Sequence, residues 1–156
     1  MLCEELWYTF MSTGNIFREY AKDAGMDLYE FENTIAKKDP NFDIKLDNKV
    51  QVFWENNDNF VFESRLAWHF IPDSFKIFLD CERDERYRRI QEREKWSLED
   101  IIFFNTRREE ELEERYAQIY PEIHFPPKAE DFDLSIDATH TSPKEIIKHI
   151  LSKIWK

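Results

Sequence analysis

Glycine is scarce in this sequence, and its scarcity excludes one common nucleotide-binding motif. The 156 residues include two glycines, Gly14 and Gly25. A phosphate-binding loop of the form G-x-x-x-x-G-K-[ST] needs two closely spaced glycines, the second followed directly by lysine. Gly14 and Gly25 are too far apart, and neither precedes a lysine. The sequence as given therefore has no loop of this form.

The sequence also has few cysteines, no long apolar run and no net positive charge. Cys3 and Cys81 form neither a disulfide framework nor a metal-binding motif, which favours a reducing, cytoplasmic compartment. No apolar run approaches the length of a membrane span, no signal-peptide pattern follows Met1, and the mean hydropathy is -0.71. The net charge of -11 argues against general nucleic-acid binding, which needs a broad positive surface. Any anionic ligand must therefore be held by a local cluster of arginines.

The residues that are present predict one folded α/β domain over residues 1–156. The composition is 42% hydrophobic and 16% aromatic, which suffices for a core at this length. Apolar runs predict strands near 7–11, 60–63, 76–80 and 134–137. Helical patterns occupy 15–24, 27 to a break at Asp39-Pro40 (with Leu28, Phe31 and Ile35 as its apolar stripe), 44–54, 82–95, 97 to about 120, and 142–155. Strands that alternate with helices imply a mostly parallel sheet covered on both faces.

The first strand leads into the segment Ser12-Thr13-Gly14-Asn15-Ile16-Phe17-Arg18. Hydroxyl groups and a glycine allow the backbone to turn closely past a ligand at a helix N-terminus, where free N–H groups favour an anion. Arg18, one turn into the helix, adds a fork-shaped donor suited to phosphate. The same residues also suit an ordinary capped helix, because cap residues are common at helix starts.

The arginines are grouped along the chain. Arg18 and Arg65 come after predicted strands, the position at which open α/β sheets bind ligands. Two further groups share helical faces, namely Arg86, Arg89 and Arg93 on one helix and Arg108 and Arg115 on the next. A solvated helix with internal Glu/Arg pairs is the alternative interpretation of residues 82–94. That alternative does not explain arginine placed directly after strand ends.

Five segments, in order along the chain, resemble the nucleoside monophosphate kinases, and within them the short, archaeal-type cytidylate kinases. The segment 12–18 is similar to their S-T-G-[DN]-x-[FL]-R signature, and 63–67 to their [ED]-G-R-L-A segment, with Ser64 in place of glycine. Residues 72–80 are similar to the strand before the lid, and 86–94 to the lid pattern R-x-x-R-I-x-x-R-E. Arg108-Glu109 and Arg115-Tyr116 resemble their paired-arginine helix.

The resemblance implies a P-loop NTPase-type fold and transfer of the ATP γ-phosphate to CMP or dCMP. It places monophosphate-binding helices at about 15–55 and a lid at about 82–116. The implied cofactors are ATP and Mg²⁺, with Glu63 assisting a metal through water. The implied substrate-binding residues are Ser12, Gly14, Arg18, Arg65, Arg108 and Arg115. The implied catalytic residues are Arg86, Arg89, Arg93, Arg108 and Arg115.

The family begins with a strand and a phosphate-binding loop, and this sequence begins after both. That strand lies in the middle of the sheet in related kinases, so we expect two half-sheets with exposed edges here. Two functional classes stay open. One is a cytidylate kinase whose sequence lacks its N-terminus, and the other is a non-catalytic relative that binds a nucleotide or a protein partner.

The two classes differ in what precedes Met1. A strand of about five or six residues and a loop motif of about eight require on the order of 15–20 further residues. We expect the upstream reading frame to encode an apolar β-branched run and G-x-x-x-x-G-K-[ST], leading into Leu2 and Leu6. The extended protein should transfer phosphate from ATP to CMP, and the 156-residue chain should not. A stop codon directly upstream would favour the non-catalytic class, and turnover by the 156-residue chain would contradict the requirement for the loop.

Overall fold

The computed structural model describes residues 1–39 and 41–155, so Pro40 of the predicted helix break lies outside the described residues. The chain divides into two compact units, Met1–Ser74 and Phe75–Lys156. Each unit contains one two-stranded parallel sheet. The α/β class and the two half-sheets predicted from the sequence are confirmed, whereas a single domain over 1–156 stays a prediction. Within the described residues, no helix is both long and apolar enough to cross a membrane.

The first unit consists of two strands and five helices, with a 3₁₀ turn at Ala36–Lys38. In chain order the elements are α1 Leu2–Leu6, β1 Thr9–Ser12, α2 Thr13–Asp23, α3 Leu28–Thr34, α4 Phe42–Asn56, β2 Phe60–Glu63 and α5 Ala67–Phe70. Strand β2 has the predicted bounds, and α4 extends the predicted helix by two residues at each end. The short segment after β2, which carried no clear prediction, forms α5.

Strand β1 starts two residues later than predicted, and it is not a buried strand. Trp7 ends α1 in the left-handed conformation, with φ 59, and the residue is 93% exposed. The helix end therefore uses the residue that the sequence pattern assigned to the strand. Phe10 is 48% exposed, whereas Ser12 is buried at the carboxyl end of the strand.

Aromatic packing holds α2 and α3 together. Phe31 is 3% exposed and packs with Ala21, Phe17 and Tyr20 of α2. The predicted apolar stripe of α3 is correct at Phe31 and wrong at Ile35, which is 39% exposed. The reason is that α3 ends at Thr34, and the following 3₁₀ turn directs Ala36 into the core instead.

The second unit consists of β3 Ile77–Asp80, α6 Arg83–Glu94, α7 Leu98–Ile119, a 3₁₀ turn at Ala129–Asp131, β4 Leu134–Asp137 and α8 Pro143–Ile154. The predicted helix starts are confirmed by their caps. The Ser97 hydroxyl accepts a hydrogen bond from the Asp100 N–H, and Ser142 and Glu145 form a reciprocal capping box.

Ion pairs shape α6, as the solvated-helix interpretation predicts. The Glu85 carboxylate accepts hydrogen bonds from Nε of Arg88 at 2.7 Å and Nε of Arg89 at 2.8 Å. The Arg88 hydrogen bonds are the main cause that lowers the pKa of Glu85 to about 2. Arg89 also donates from Nη2 to the carbonyl oxygens of Ala138 and Thr139, at 2.7 and 3.1 Å. Arg89 therefore ties α6 to the segment that follows β4.

The stability of the protein should depend on pH through Glu85. Its pKa is lowered from 4.5 to about 2 on folding, so its contribution is fully present above pH 4.5 and is lost as pH falls through about 2. Urea denaturation of the wild type and of Glu85→Gln should show a difference in unfolding free energy that is constant between pH 7 and 5 and shrinks below 4.5. Glu99→Gln, on the exposed first turn of α7, is the control. A difference that is as large at pH 3 as at pH 7, or one that grows on acidification, would contradict the prediction.

Candidate functional site

The carboxyl ends of β1 and β2 bring together the residues that the sequence places after these strands. The strands are parallel, and Ser12 is paired with Glu63 in their register. Helix α2 starts at the residue after Ser12, and Arg65 follows Glu63 by two positions. The segment 12–18 and Arg65 therefore belong to the same end of this sheet, where open α/β sheets bind ligands.

Ser12 joins the strand to the helix. Its backbone is extended, with φ -142, and its Oγ accepts a hydrogen bond from the Asn15 N–H at 3.3 Å. Ser12 is 3% exposed. This N-cap uses one N–H group of the first turn, while the preceding N–H groups have no acceptor within the helix. The start of α2 thus offers donors to an anion.

Gly14 lies between two polar side chains. Its φ is not positive, so the helix does not require glycine there. A Cβ at this position would lie 3.5 Å from Nη1 of Arg18 and 3.6 Å from Oγ of Ser12, which is ordinary contact distance. The missing side chain therefore leaves room for a ligand atom beside both groups.

Arg18 is exposed and is held at one end. Its Nη1 donates to Oδ1 of Asn15 at 3.0 Å. Among the side chains that the structure describes, Nε and Nη2 of Arg18 have no hydrogen-bond or ion-pair partner. These two N–H groups form the edge of the guanidinium that can bind two oxygens of one phosphate.

Ser64 stands where the [ED]-G-R-L-A motif has glycine, and its backbone is not strained. It is not among the described residues with positive φ, and its Oγ accepts a hydrogen bond from the Leu66 N–H at 3.3 Å. Leu66 is 1% exposed, which anchors the segment directly after the exposed Arg65. The departure from the family pattern is therefore compatible with the geometry of the strand end.

The second unit places Arg108 and Arg115 on the packed face of α7. Both are half-buried, and the Nε atom of each is buried. They share this face with Ile101 and Leu112, which are 0% and 6% exposed. The common face predicted from their spacing is therefore present, and it is directed toward the protein rather than toward solvent.

The arginines of α6 contact protein groups. Nη1 of Arg86 lies 3.4 Å from Oε1 of Glu109 on α7, and Nε of Arg93 lies 2.6 Å from Oε1 of Glu94. Arg89 is bonded to Glu85 and to two carbonyl oxygens, as described above. Binding of a donor phosphate by these residues would require them to exchange those partners, so their catalytic roles stay predictions.

The carboxyl ends of β3 and β4 hold polar residues that the sequence analysis missed. Asp80 is paired with Asp137 in the register. Oδ1 of Asp137 accepts a hydrogen bond from the Thr139 N–H at 2.8 Å, and hydrogen bonds from Thr139 lower the pKa of Asp137. The Thr139 hydroxyl is buried and accepts from the Glu82 N–H at 3.0 Å. An aspartate at the end of each of two parallel strands was the available signal.

Comparison with known proteins identifies the relatives of this chain. A family model described as an AAA domain matches residues 1–120. The cytidylate kinase of Methanobrevibacter smithii is 31% identical over 99% of this chain and 88% of its own length. The cytidylate kinase of Halobacterium salinarum is 33% identical over 98% of this chain and 79% of its own length.

A solved structure shares the fold. An uncharacterized protein from Eubacterium ventriosum superposes with a TM-score of 0.68 and 18% identity, covering 99% of this chain and 87% of that one. This likeness shows a shared α/β fold, and the sequence relatives define the family. The chain belongs to the cytidylate kinase family, within the wider group that the AAA-domain model describes.

Proposed function

We propose that this chain binds CMP or dCMP as a phosphoryl acceptor at the carboxyl ends of β1 and β2. The observation that carries the proposal is the register of Ser12 with Glu63, which assembles the start of α2, Gly14, Arg18 and Arg65 at one sheet end. The relatives named cytidylate kinase support the choice of acceptor. The reaction proposed for the complete enzyme is transfer of the γ-phosphate of ATP to the acceptor.

The acceptor site works by positioning and charge neutralisation, which are the main contributions of a protein to phosphoryl transfer. The Nε and Nη2 groups of Arg18 bind the acceptor phosphate, and Arg65 adds a second positive charge. Gly14 has no side chain to obstruct a ligand atom beside Arg18, while Ser12 contributes at the sugar or base. The arginines neutralise charge on the acceptor phosphate. This reduces its electrostatic repulsion of the anionic phosphoryl donor, so the donor can approach more closely.

The remaining roles rest on the family resemblance. We propose that residues 82–116 act as a lid, with Arg86, Arg89 and Arg93 near the donor and Arg108 and Arg115 at the phosphoryl group in transfer. A closed lid excludes water from the reaction. Because α6 buries only Tyr87 among its twelve residues, its position depends more on charge than on apolar packing.

The donor side of the proposal involves ATP and Mg²⁺. Magnesium in such sites usually binds one or two carboxylates together with nucleotide phosphates. The described residues contain no group of three or more metal-ligating side chains. The exposed Glu63 at the end of β2 can supply a single carboxylate, which would contact the ion through water. When bound, the ion would neutralise charge on the transferring phosphate.

A second candidate is a nucleotide-binding relative without kinase activity. The two candidates share the acceptor site and differ in turnover. In either case we propose a cytoplasmic location, a small-molecule ligand and no nucleic-acid or membrane partner.

The acceptor site is tested by calorimetry with CMP, dCMP, UMP and AMP. We expect CMP and dCMP to bind more tightly than the other two. Arg18→Ala and Arg65→Ala should each weaken CMP binding by about 1.5–3 kcal/mol, because each removes a charge-assisted contact. Arg88→Ala is the control, since Glu85 and Glu92 already occupy its guanidinium. Equal, weak heats for all four nucleotides would contradict the proposal.

The two glycines provide a matched test of the space beside Arg18. Gly14→Ala should leave stability unchanged or raise it by up to about 1 kcal/mol, since alanine favours a helix, yet it should weaken CMP binding. Gly25→Ala should lower stability, because φ is +69 at Gly25 and a Cβ there is strained. It should leave CMP binding unchanged. Thermal denaturation and calorimetry measure the two effects. CMP affinity that is unchanged in Gly14→Ala would show that the space is not used.

A further inference from the structure

One side chain in the acceptor site contacts an arginine rather than offering itself to a ligand. Oδ1 of Asn15 accepts a hydrogen bond from Nη1 of Arg18 at 3.0 Å, one helical turn away. The backbone N–H of Asn15 donates to Oγ of Ser12 at 3.3 Å. Asn15 is therefore bonded to two neighbours that the proposed function assigns to the acceptor, through two different groups.

We propose that Asn15 is a positioning residue that orients Arg18 for the phosphate of the nucleoside monophosphate. The inference rests on the proposed function, in which Arg18 binds that phosphate. Asn15 occupies Nη1, and within the described residues the Nε and Nη2 edge of Arg18 has no partner. The contact thus determines which edge of the guanidinium is presented for two-point binding of phosphate oxygens.

The benefit of such a contact is entropic. An exposed arginine has many rotamers, and fixing it in one of them on ligand binding costs side-chain entropy. A hydrogen bond that already restrains Arg18 in the free protein reduces this cost, which is preorganisation. The exposed Arg18 is not buried by packing, so the hydrogen bond to Asn15 is what restrains it.

The neutral amide of Asn15 leaves the charge of Arg18 uncompensated. Arg88 shows the alternative, because Glu85 binds its Nε and Nη2 while Glu92 binds Nη1. Those carboxylates occupy the guanidinium on both edges and compensate its charge. The amide of Asn15 takes one N–H group and carries no charge, so the full positive charge of Arg18 stays available to an anion.

A double-mutant cycle tests the inference. Asn15→Ala removes the side-chain oxygen that accepts the hydrogen bond from Arg18. It keeps the backbone N–H that donates to Oγ of Ser12, so the helix cap stays intact. Calorimetry should show CMP binding weakened by about 3- to 10-fold, the effect of losing one hydrogen bond. In an Arg18→Ala background the same change should have no further effect. Binding of cytidine, which lacks the phosphate, should be unchanged.

Two further variants separate positioning from a structural role. Asn15→Asp keeps an Oδ acceptor and should therefore retain the restraint of Arg18. Asn56→Ala, at the C-terminal end of α4, is the control and should leave CMP binding unchanged. In the free protein, ¹⁵N relaxation of the Arg18 Nε–H should show higher mobility in Asn15→Ala than in wild type. This readout does not require that any nucleotide binds.

The outcomes distinguish the inference from the function on which it rests. If Arg18→Ala leaves CMP binding unchanged, the proposed acceptor site is wrong. If Arg18→Ala weakens binding but Asn15→Ala does not, or weakens it equally in both backgrounds, Asn15 does not act through Arg18. Unchanged mobility of the Arg18 Nε–H in Asn15→Ala would overturn the positioning role whatever the nucleotide result.

Discussion

The acceptor site depends on the parallel pairing of β1 and β2. Because parallel strands end at the same edge, the register of Ser12 with Glu63 brings two sequence segments together that lie about fifty positions apart. A shift of that register would separate Arg65 from the start of α2. Strand pairing, rather than any contact between the functional side chains, therefore determines the composition of the site.

Packing of α2 explains why its functional face is available. Phe17 and Tyr20 face an aromatic cluster with Phe31 and Phe42, in which the Phe17 and Phe42 ring centroids are 5.1 Å apart. Arg18 directly follows Phe17, so the helical period turns it away from this cluster toward solvent. Apolar burial thus holds the helix on one side and leaves Arg18 exposed on the other.

Arginine serves two different purposes in this protein. In α6, Arg88 and Arg89 are bonded to Glu85, and Arg89 also binds the carbonyl oxygens of Ala138 and Thr139. These contacts satisfy the guanidinium groups within the fold. In the first unit, Arg18 contacts only a neutral amide among the described residues. The same residue type is therefore structural where carboxylates surround it and available to a ligand where they do not.

The amino-acid sequence by itself determined the elements with strong local signals: β2 and β4, the caps at Ser97 and Ser142, and the motif residues Ser12 to Arg18. Local propensity and capping depend on near neighbours in the chain, so they are readable without coordinates. Tertiary structure decided the rest. The 3₁₀ turn buried Ala36 in place of Ile35, and the bonds of Arg89 depend on a segment about fifty positions away. Such outcomes follow from long-range packing and pairing, which neighbouring residues do not specify.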